Sequence, residues 1–126
     1  MDSGDKRILV IDDNDAIRIV LVDALEDEGY DVDDAENGLT AINLVKEKEY
    51  ELVITDIIMP DEDGLGAIMK IKKEQPDVKI IAISGGGRIN SETYLDMAKQ
   101  LGANCSFKKP FDINEVLDKV AELLKS

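Results

Sequence analysis

Two acidic residues, Asp12 and Asp13, follow directly on the apolar run Ile8-Leu9-Val10-Ile11, and a second run, Leu52-Val53-Ile54-Thr55, ends in Asp56. A third run, Ile80 to Ile83, ends in Ser84, and a fourth, Cys105 to Lys108, leads into Lys109-Pro110. Carboxylates, a hydroxyl and an amine delivered from separate strand ends suggest one shared acidic pocket. Three carboxylates held within a few ångströms repel and raise one another's pKa values. A bound cation offsets that cost, and oxygen-only ligands completed by water suit Mg²⁺ or Mn²⁺. Lys109 adds a second positive charge that can contact a phosphoryl oxygen. A divalent cation, a lysine and a hydroxyl around one carboxylate are what phosphoryl transfer to that carboxylate requires. Asp56 is the candidate nucleophile, because the adjacent Asp12 and Asp13 are better placed to hold metal. Ser84 can donate a hydrogen bond to a phosphoryl oxygen.

Each residue taken singly also has a plainer role. Asp12, Asp13, Asn14 or Asp15 could cap the helix that follows. Asp56 could be a loop residue, and Ser84 could satisfy its own backbone. Their convergence on one end of several strands favours the pocket.

Strand-like runs alternate with segments of helical period along the whole chain. Arg7–Ile11, Leu52–Thr55 and Val78–Ile83 are near-continuous in Ile, Val and Leu, the mark of strands covered on both faces. Tyr30–Ala35 instead alternates Val32 and Ala35 with Asp31, Asp33 and Asp34, an edge strand protected by charge. Asn104–Lys108 is short and mixed, the opposite edge. The first helix is predicted from about Asn14 to Glu28, with Ile17, Val20, Leu21, Ala24 and Leu25 on one stripe and Gly29 as its stop. The second starts near Gly38 and carries Ala41, Ile42, Leu44 and Val45. The third runs from Gly64 to about Gln75, before Pro76. The fourth starts at Ser91 and ends at Gly102. The fifth opens with the capping-box-like Asp112-Ile113-Asn114-Glu115 and places Val116, Leu117, Val120, Leu123 and Leu124 on one face. Five β–α pairs in strict alternation predict an α/β fold, a doubly wound parallel five-stranded sheet with right-handed crossovers. In such sheets the ligand site lies beyond the strand C-termini, where Asp12, Asp13, Asp56, Ser84 and Lys109 all fall.

Composition bounds the function. At 126 residues the chain is expected to be a single domain, residues 1–126 with an ordered core of about 6–125, and no second domain. Apolar residues make up 44% and charged residues 34%, ordinary for a globular protein. The net charge of −13 argues against direct contact with nucleic acid or an anionic membrane. There is no histidine and one cysteine, Cys105, so residue supply excludes zinc sites and Ser-His or Cys-His nucleophile pairs. Cys105 reads as a small core residue in a reducing compartment. No stretch approaches about 18 uninterrupted apolar residues, and the polar N-terminus is unlike a signal peptide, so a cytoplasmic protein is expected.

In the order and spacing of these residues the chain resembles the response-regulator receiver domain over essentially its whole length. The resemblance rests on Asp12-Asp13, on Thr55-Asp56-Ile57-Ile58-Met59-Pro60 with Gly64 beyond, on Ser84, and on Lys109-Pro110-Phe111. It implies the flavodoxin-like strand order 2-1-3-4-5, for which a chemotaxis member of this family is a standard example. It further implies that Asp56 is phosphorylated by a histidine kinase or a histidine phosphotransfer protein. Asp13, Asp56 and the backbone carbonyl of Ile58 would hold Mg²⁺, with Asp12 acting through water. Lys109 would contact the phosphoryl group, Ser84 would be the switch hydroxyl, and the Lys109–Pro110 peptide would be cis. Such a domain is a signalling switch, not an enzyme, beyond its own phosphorylation and slow dephosphorylation. It acts on a downstream protein or its own effector domain, as a monomer or a weak phosphorylation-dependent dimer.

One departure stands out. The family often carries Tyr or Phe three residues before the Lys-Pro lysine, and here that position is Ser106, with Phe107 next to it. The usual hydroxyl–aromatic coupling is therefore in question, and Gly85-Gly86-Gly87 after Ser84 supports a mobile loop. Two other functions share part of this pattern. Asp13-Asn14-Asp15 resembles the Asp-x-Asp opening of haloacid-dehalogenase-like Mg²⁺-dependent phosphatases, but its second Asp would lie in the first helix. A flavin-binding module shares the fold class, but the acidic loop would repel a flavin phosphate.

Overall fold

The computed structural model describes residues 6–59, 62–84 and 91–125. In chain order the elements are β1 (Arg7–Ile11), α1 (Asp15–Asp27), β2 (Asp31–Ala35), α2 (Gly38–Glu47), β3 (Leu52–Asp56), β4 (Ile58–Met59), β5 (Glu62–Asp63), α3 (Gly64–Glu74), β6 (Lys79–Ser84), α4 (Ser91–Gln100), β7 (Cys105–Lys108) and α5 (Ile113–Leu124). The main sheet has the order β2-β1-β3-β6-β7 with every pair parallel. Counted along the chain its strands stand 2-1-3-4-5, the predicted flavodoxin-like α/β order. The antiparallel pair β4–β5 is an addition that the apolar pattern did not foretell, because two-residue strands carry no periodicity.

The near-continuous apolar strands are buried on both faces because helices cover both. Leu9, Ile11, Val53, Ile80 and Ala82 pack in one core with Ala41, Val45, Ile68, Ile71 and Ala98 from α2, α3 and α4. The alternate positions, Ile8, Val10, Leu52, Ile54, Ile81 and Ile83, pack in a second core with Leu21, Leu25, Val116 and Val120 from α1 and α5. Period-two alternation of side chains thus splits each strand between two cores. Val20 is the exception to the predicted α1 stripe, being 53% exposed. The helix meets the sheet along Ile17, Leu21 and Leu25 at fourfold spacing, which turns Val20 toward solvent.

The helix ends follow their local chemistry. Asn14, one of four candidates, is the α1 cap, its Oδ1 accepting from the Ile17 amide at 3.1 Å. Asn37 caps α2 through Thr40, and Asp112 caps α5 through Asn114 at 2.8 Å. Gly29 and Gly102 sit at φ 96° and 121°, just past α1 and α4. After Gly102 the Ala103 amide reaches back to the Ala98 carbonyl at 3.0 Å, the wide bond of a left-handed helix stop. The predicted edges hold as well: β2 and β7 flank the sheet. The Gly85–Gly87 segment lies outside the described residues.

Gly102 has a second constraint, since a Cβ there would stand 2.9 Å from Lys72 Cε. That side chain is tied down, its Nζ donating to the Val78 carbonyl at 2.8 Å and the Pro76 carbonyl at 3.3 Å. Gly102→Ala should therefore lower unfolding free energy by about 1–2 kcal/mol. Urea unfolding of the two proteins checks this, and an unchanged midpoint would refute it.

Candidate functional site

Parallel strands bring their C-terminal ends to one edge, and four of them furnish the site. β1 delivers Asp12 and Asp13, β3 ends in Asp56, β6 ends in Ser84, and β7 leads into Lys109. Asp12 and Asp56 are only 1% and 3% exposed and Ser84 is fully buried, whereas Asp13 opens to solvent. One carboxylate oxygen from each of Asp12, Asp13 and Asp56 lies within 4.8 Å of the others. Lys109 Nζ stands between two of them, 2.8 Å from Asp56 Oδ2 and 2.9 Å from Asp12 Oδ2.

The Asp12 oxygens differ. Oδ1 accepts the Asn14 amide at 2.8 Å. Oδ2 is buried and ion-paired with the ammonium, but among the described residues no donor is aligned to give it a hydrogen bond. A buried anionic oxygen with spare coordination capacity, beside two further carboxylates, is a donor set that fits a hard divalent cation. Burial is the largest influence on Lys109 and pulls its pKa down. The Asp56 and Asp12 carboxylates together outweigh it and hold that pKa above the ordinary lysine value. The ammonium therefore stays charged in the pocket. Its contribution to stability is complete below the unfolded lysine pKa and is lost only as pH rises through the higher folded value.

Backbone bonds fix these groups in place. The Lys109 amide donates to the Ser84 carbonyl at 2.8 Å, and the Ile57 amide to the Ile83 carbonyl at 2.9 Å. The buried Thr55 hydroxyl donates to the Asp56 carbonyl at 3.0 Å. The Lys109–Pro110 peptide is cis. Ile58 opens β4, two residues beyond Asp56. Ser106 is half-buried on β7 in register with Ala82, while Phe107, one residue on, packs into the α1–α5 core. Lys108, the neighbouring lysine, is exposed.

A family model for the response regulator receiver domain matches residues 8–121. The chain belongs to the response regulator receiver domain family. Among curated relatives, this receiver domain is 34% identical over 119 residues to sporulation initiation phosphotransferase F of Bacillus subtilis, covering 94% of each chain. It is 40% identical over 119 residues to the DNA-binding transcriptional regulator NtrC of Azospirillum brasilense, where it covers 94% of this chain but 24% of that one. The receiver domain thus spans nearly all of one relative and about a quarter of the other. Among solved structures it resembles response regulator protein TrrA of Thermotoga maritima in complex with Mg(2+)-BeF, with 39% identity, a TM-score of 0.81, and coverage of 94% of this chain and 99% of that one.

The family is one of signalling switches, and the rival functions lose their footing. Asp15, the second carboxylate of the phosphatase-like Asp-x-Asp, lies inside α1 and pairs with Arg18 at 2.6 Å. Arg18 is the site-flanking residue that the sequence pattern did not single out. No motif marks it, and the only hint was a lone cation in an otherwise acidic and apolar helix.

Removing the ammonium should expose the repulsion it offsets. Lys109→Met is expected to cost about 3 kcal/mol near neutral pH, because two buried carboxylates lose their counter-charge. The deficit should shrink as pH rises through the raised folded pKa of Lys109, where the wild-type amine loses its charge as well. Denaturant unfolding across pH tests this; a deficit that stays at its neutral-pH size in strong alkali would contradict it.

Proposed function

We propose that this receiver domain is the phosphoacceptor of a two-component phosphorelay, with Asp56 as the phosphorylated residue. The observation that carries this is the placement of Asp56 Oδ2 at 2.8 Å from the Lys109 ammonium, inside a cluster with Asp12 and Asp13. In the reaction an Asp56 carboxylate oxygen forms the O–P bond as the N–P bond to a donor histidine breaks, and the imidazole departs with the bonding pair. The donor is a histidine kinase or a histidine phosphotransfer protein. Lys109 holds a phosphoryl oxygen by a charge-assisted hydrogen bond. Asp13, Asp56 and the Ile58 carbonyl, with Asp12 acting through water, would hold Mg²⁺, which when bound would supply the remaining neutralisation of phosphoryl charge. The domain promotes only its own phosphorylation and slow dephosphorylation.

The output runs from Ser84 to the surface of α4, β7 and α5. Phosphorylation can bias that surface only through contacts that differ between the two states, and Ser84 and Lys109 are the groups able to make them. Both architectures among the relatives fit this function: a free-standing relay protein, or the receiver part of a longer regulator. Among the described residues no helix is long and apolar enough to cross a membrane, in keeping with a cytoplasmic relay.

Mg²⁺ with a small phosphodonor such as acetyl phosphate should add one acid-labile phosphoryl group, detected by mass. Asp56→Asn should abolish the labelling, and Asp13→Asn should weaken Mg²⁺ binding and labelling together. Wild-type labelling of Asp56→Asn would sink the assignment. For the switch, beryllofluoride with Mg²⁺ serves as phosphoryl mimic and amide NMR as the readout. Ser84→Ala should suppress the α4 shifts and Ser106→Ala should leave them largely intact; the opposite pattern would exclude Ser84 as the coupling residue.

A further inference from the structure

Arg18 makes three contacts with one guanidinium. Its Nη1 donates to the Asp12 carbonyl oxygen at 2.7 Å, its Nη2 to Asp15 Oδ1 at 2.6 Å and its Nε to Asp34 Oδ2 at 2.8 Å. The side chain is only 14% exposed although it starts from an exterior-facing helix turn. Charge-assisted bonds from a rigid planar fork combine geometry with charge, which a lysine ammonium cannot reproduce.

The first of these contacts is the informative one. The β1 ladder ends at Ile11, whose partners are Ala35 and Thr55. Asp12 still donates its amide to the Ala35 carbonyl at 3.2 Å. Its own carbonyl lies past the last strand pairing and needs a donor, which Arg18 supplies. With Oδ1 bound to the Asn14 amide, three of the four polar groups of Asp12 are fixed, and Oδ2 is left aimed at Lys109 and the carboxylate cluster. The oxygen that Arg18 holds belongs to the planar peptide joining Asp12 to Asp13. The orientation of that plane sets where the Asp13 carboxylate stands relative to Asp12 and Asp56.

We infer that Arg18 is a positioning residue for the cation site, its fork holding the Asp12–Asp13 peptide plane so that both carboxylates face one ion. Its two other prongs engage Asp15 and Asp34, so these neighbouring carboxylates neither repel the cluster fully nor draw the cation to a second position. The inference rests on the Mg²⁺ function proposed above and goes further in naming a residue that touches neither ion nor phosphoryl group.

Calorimetric titration of the whole chain with Mg²⁺ alone is the test, joined to the amide resonances of residues 12–14 in the metal-free protein. Arg18→Ala should weaken Mg²⁺ binding by about 10- to 100-fold, the usual effect of losing an outer partner of a metal ligand. Arg18→Lys retains charge and stem but not the fork, and should remain weakened severalfold with the residue 12–14 resonances displaced. Arg7→Ala, which removes the exposed Arg7–Asp31 pair from the opposite end of the same two strands, should leave affinity unchanged. An Arg18→Ala protein that binds Mg²⁺ like the wild type overturns the inference while the metal site stands. Wild-type affinity in Arg18→Lys overturns it too, because charge alone would then suffice; this variant decides the matter if Arg18→Ala does not fold. A wild-type chain that binds no Mg²⁺ removes the metal site itself, and the inference with it.

Discussion

The constraint on which the structure turns is that three carboxylates must share one pocket while, among the described residues, a single ammonium faces them. Like charges at a few ångströms in a partly buried setting repel strongly. The protein accepts this only with compensation from several directions. Lys109 bridges Asp12 and Asp56, the Asn14 amide binds Asp12 Oδ1, and Arg18 binds the Asp12 carbonyl. One net imbalance remains, and it is the property that suits the pocket to a divalent cation. A parallel sheet is the economical way to assemble such a site, since all its strands end on the same side. The two flanking cores then hold those ends rigidly, because β1, β3 and β6 are packed from both faces.

The acidity of the chain looks like a surplus until its placement is followed. On the edge strand β2 each aspartate has an assigned partner: Asp31 meets Arg7 at 3.4 Å, Asp33 meets Lys48 at 3.3 Å, and Asp34 meets Arg18 at 2.8 Å. The exposed pairs add little stability, but charges along an edge discourage pairing with another chain. Asp33 does more, accepting the hydroxyl of buried Tyr50 at 2.7 Å. Burial first, and the Asp33 carboxylate second, push the Tyr50 pKa up, so the phenol remains a donor. The edge is thereby pinned to the turn before β3.

Much of this was legible in the residues, for physical reasons. Short continuous Ile, Val and Leu runs bounded by turn residues fit strands covered on both faces, and Gly29 and Gly102 mark stops that few other residues tolerate. The pocket was legible because strand ends in this topology must converge. What escaped shares a different character. Arg18 binds a carbonyl, a group present in every residue and so invisible to pattern. Val20 matched the apolar stripe, yet the helix rotation that exposes it is set by which of its neighbours meet the sheet. The β4–β5 pair and the Tyr50–Asp33 bond depend on proximity across the fold. Period and composition report what a residue is, not what lies opposite it.

The non-aromatic Ser106 poses the remaining mechanical question, and the backbone offers a way to meet it. Lys109 and Ser84, the two groups able to grip a phosphoryl oxygen, are already joined by the bond from the Lys109 amide to the Ser84 carbonyl. They sit at the ends of the adjacent strands β6 and β7, whose register pairs Ser84 with Lys108. In the proposed switch, a displacement of either would be passed to the other through this bond without any side chain at position 106. Phe107 packs against the α1–α5 core rather than the α4 side, so it cannot replace the missing ring there. Coupling through the strand ends needs only a small shift, because packed layers answer strain by moving as units rather than by deforming locally. In this chain the aromatic would add a second route to a link that the sheet itself already makes.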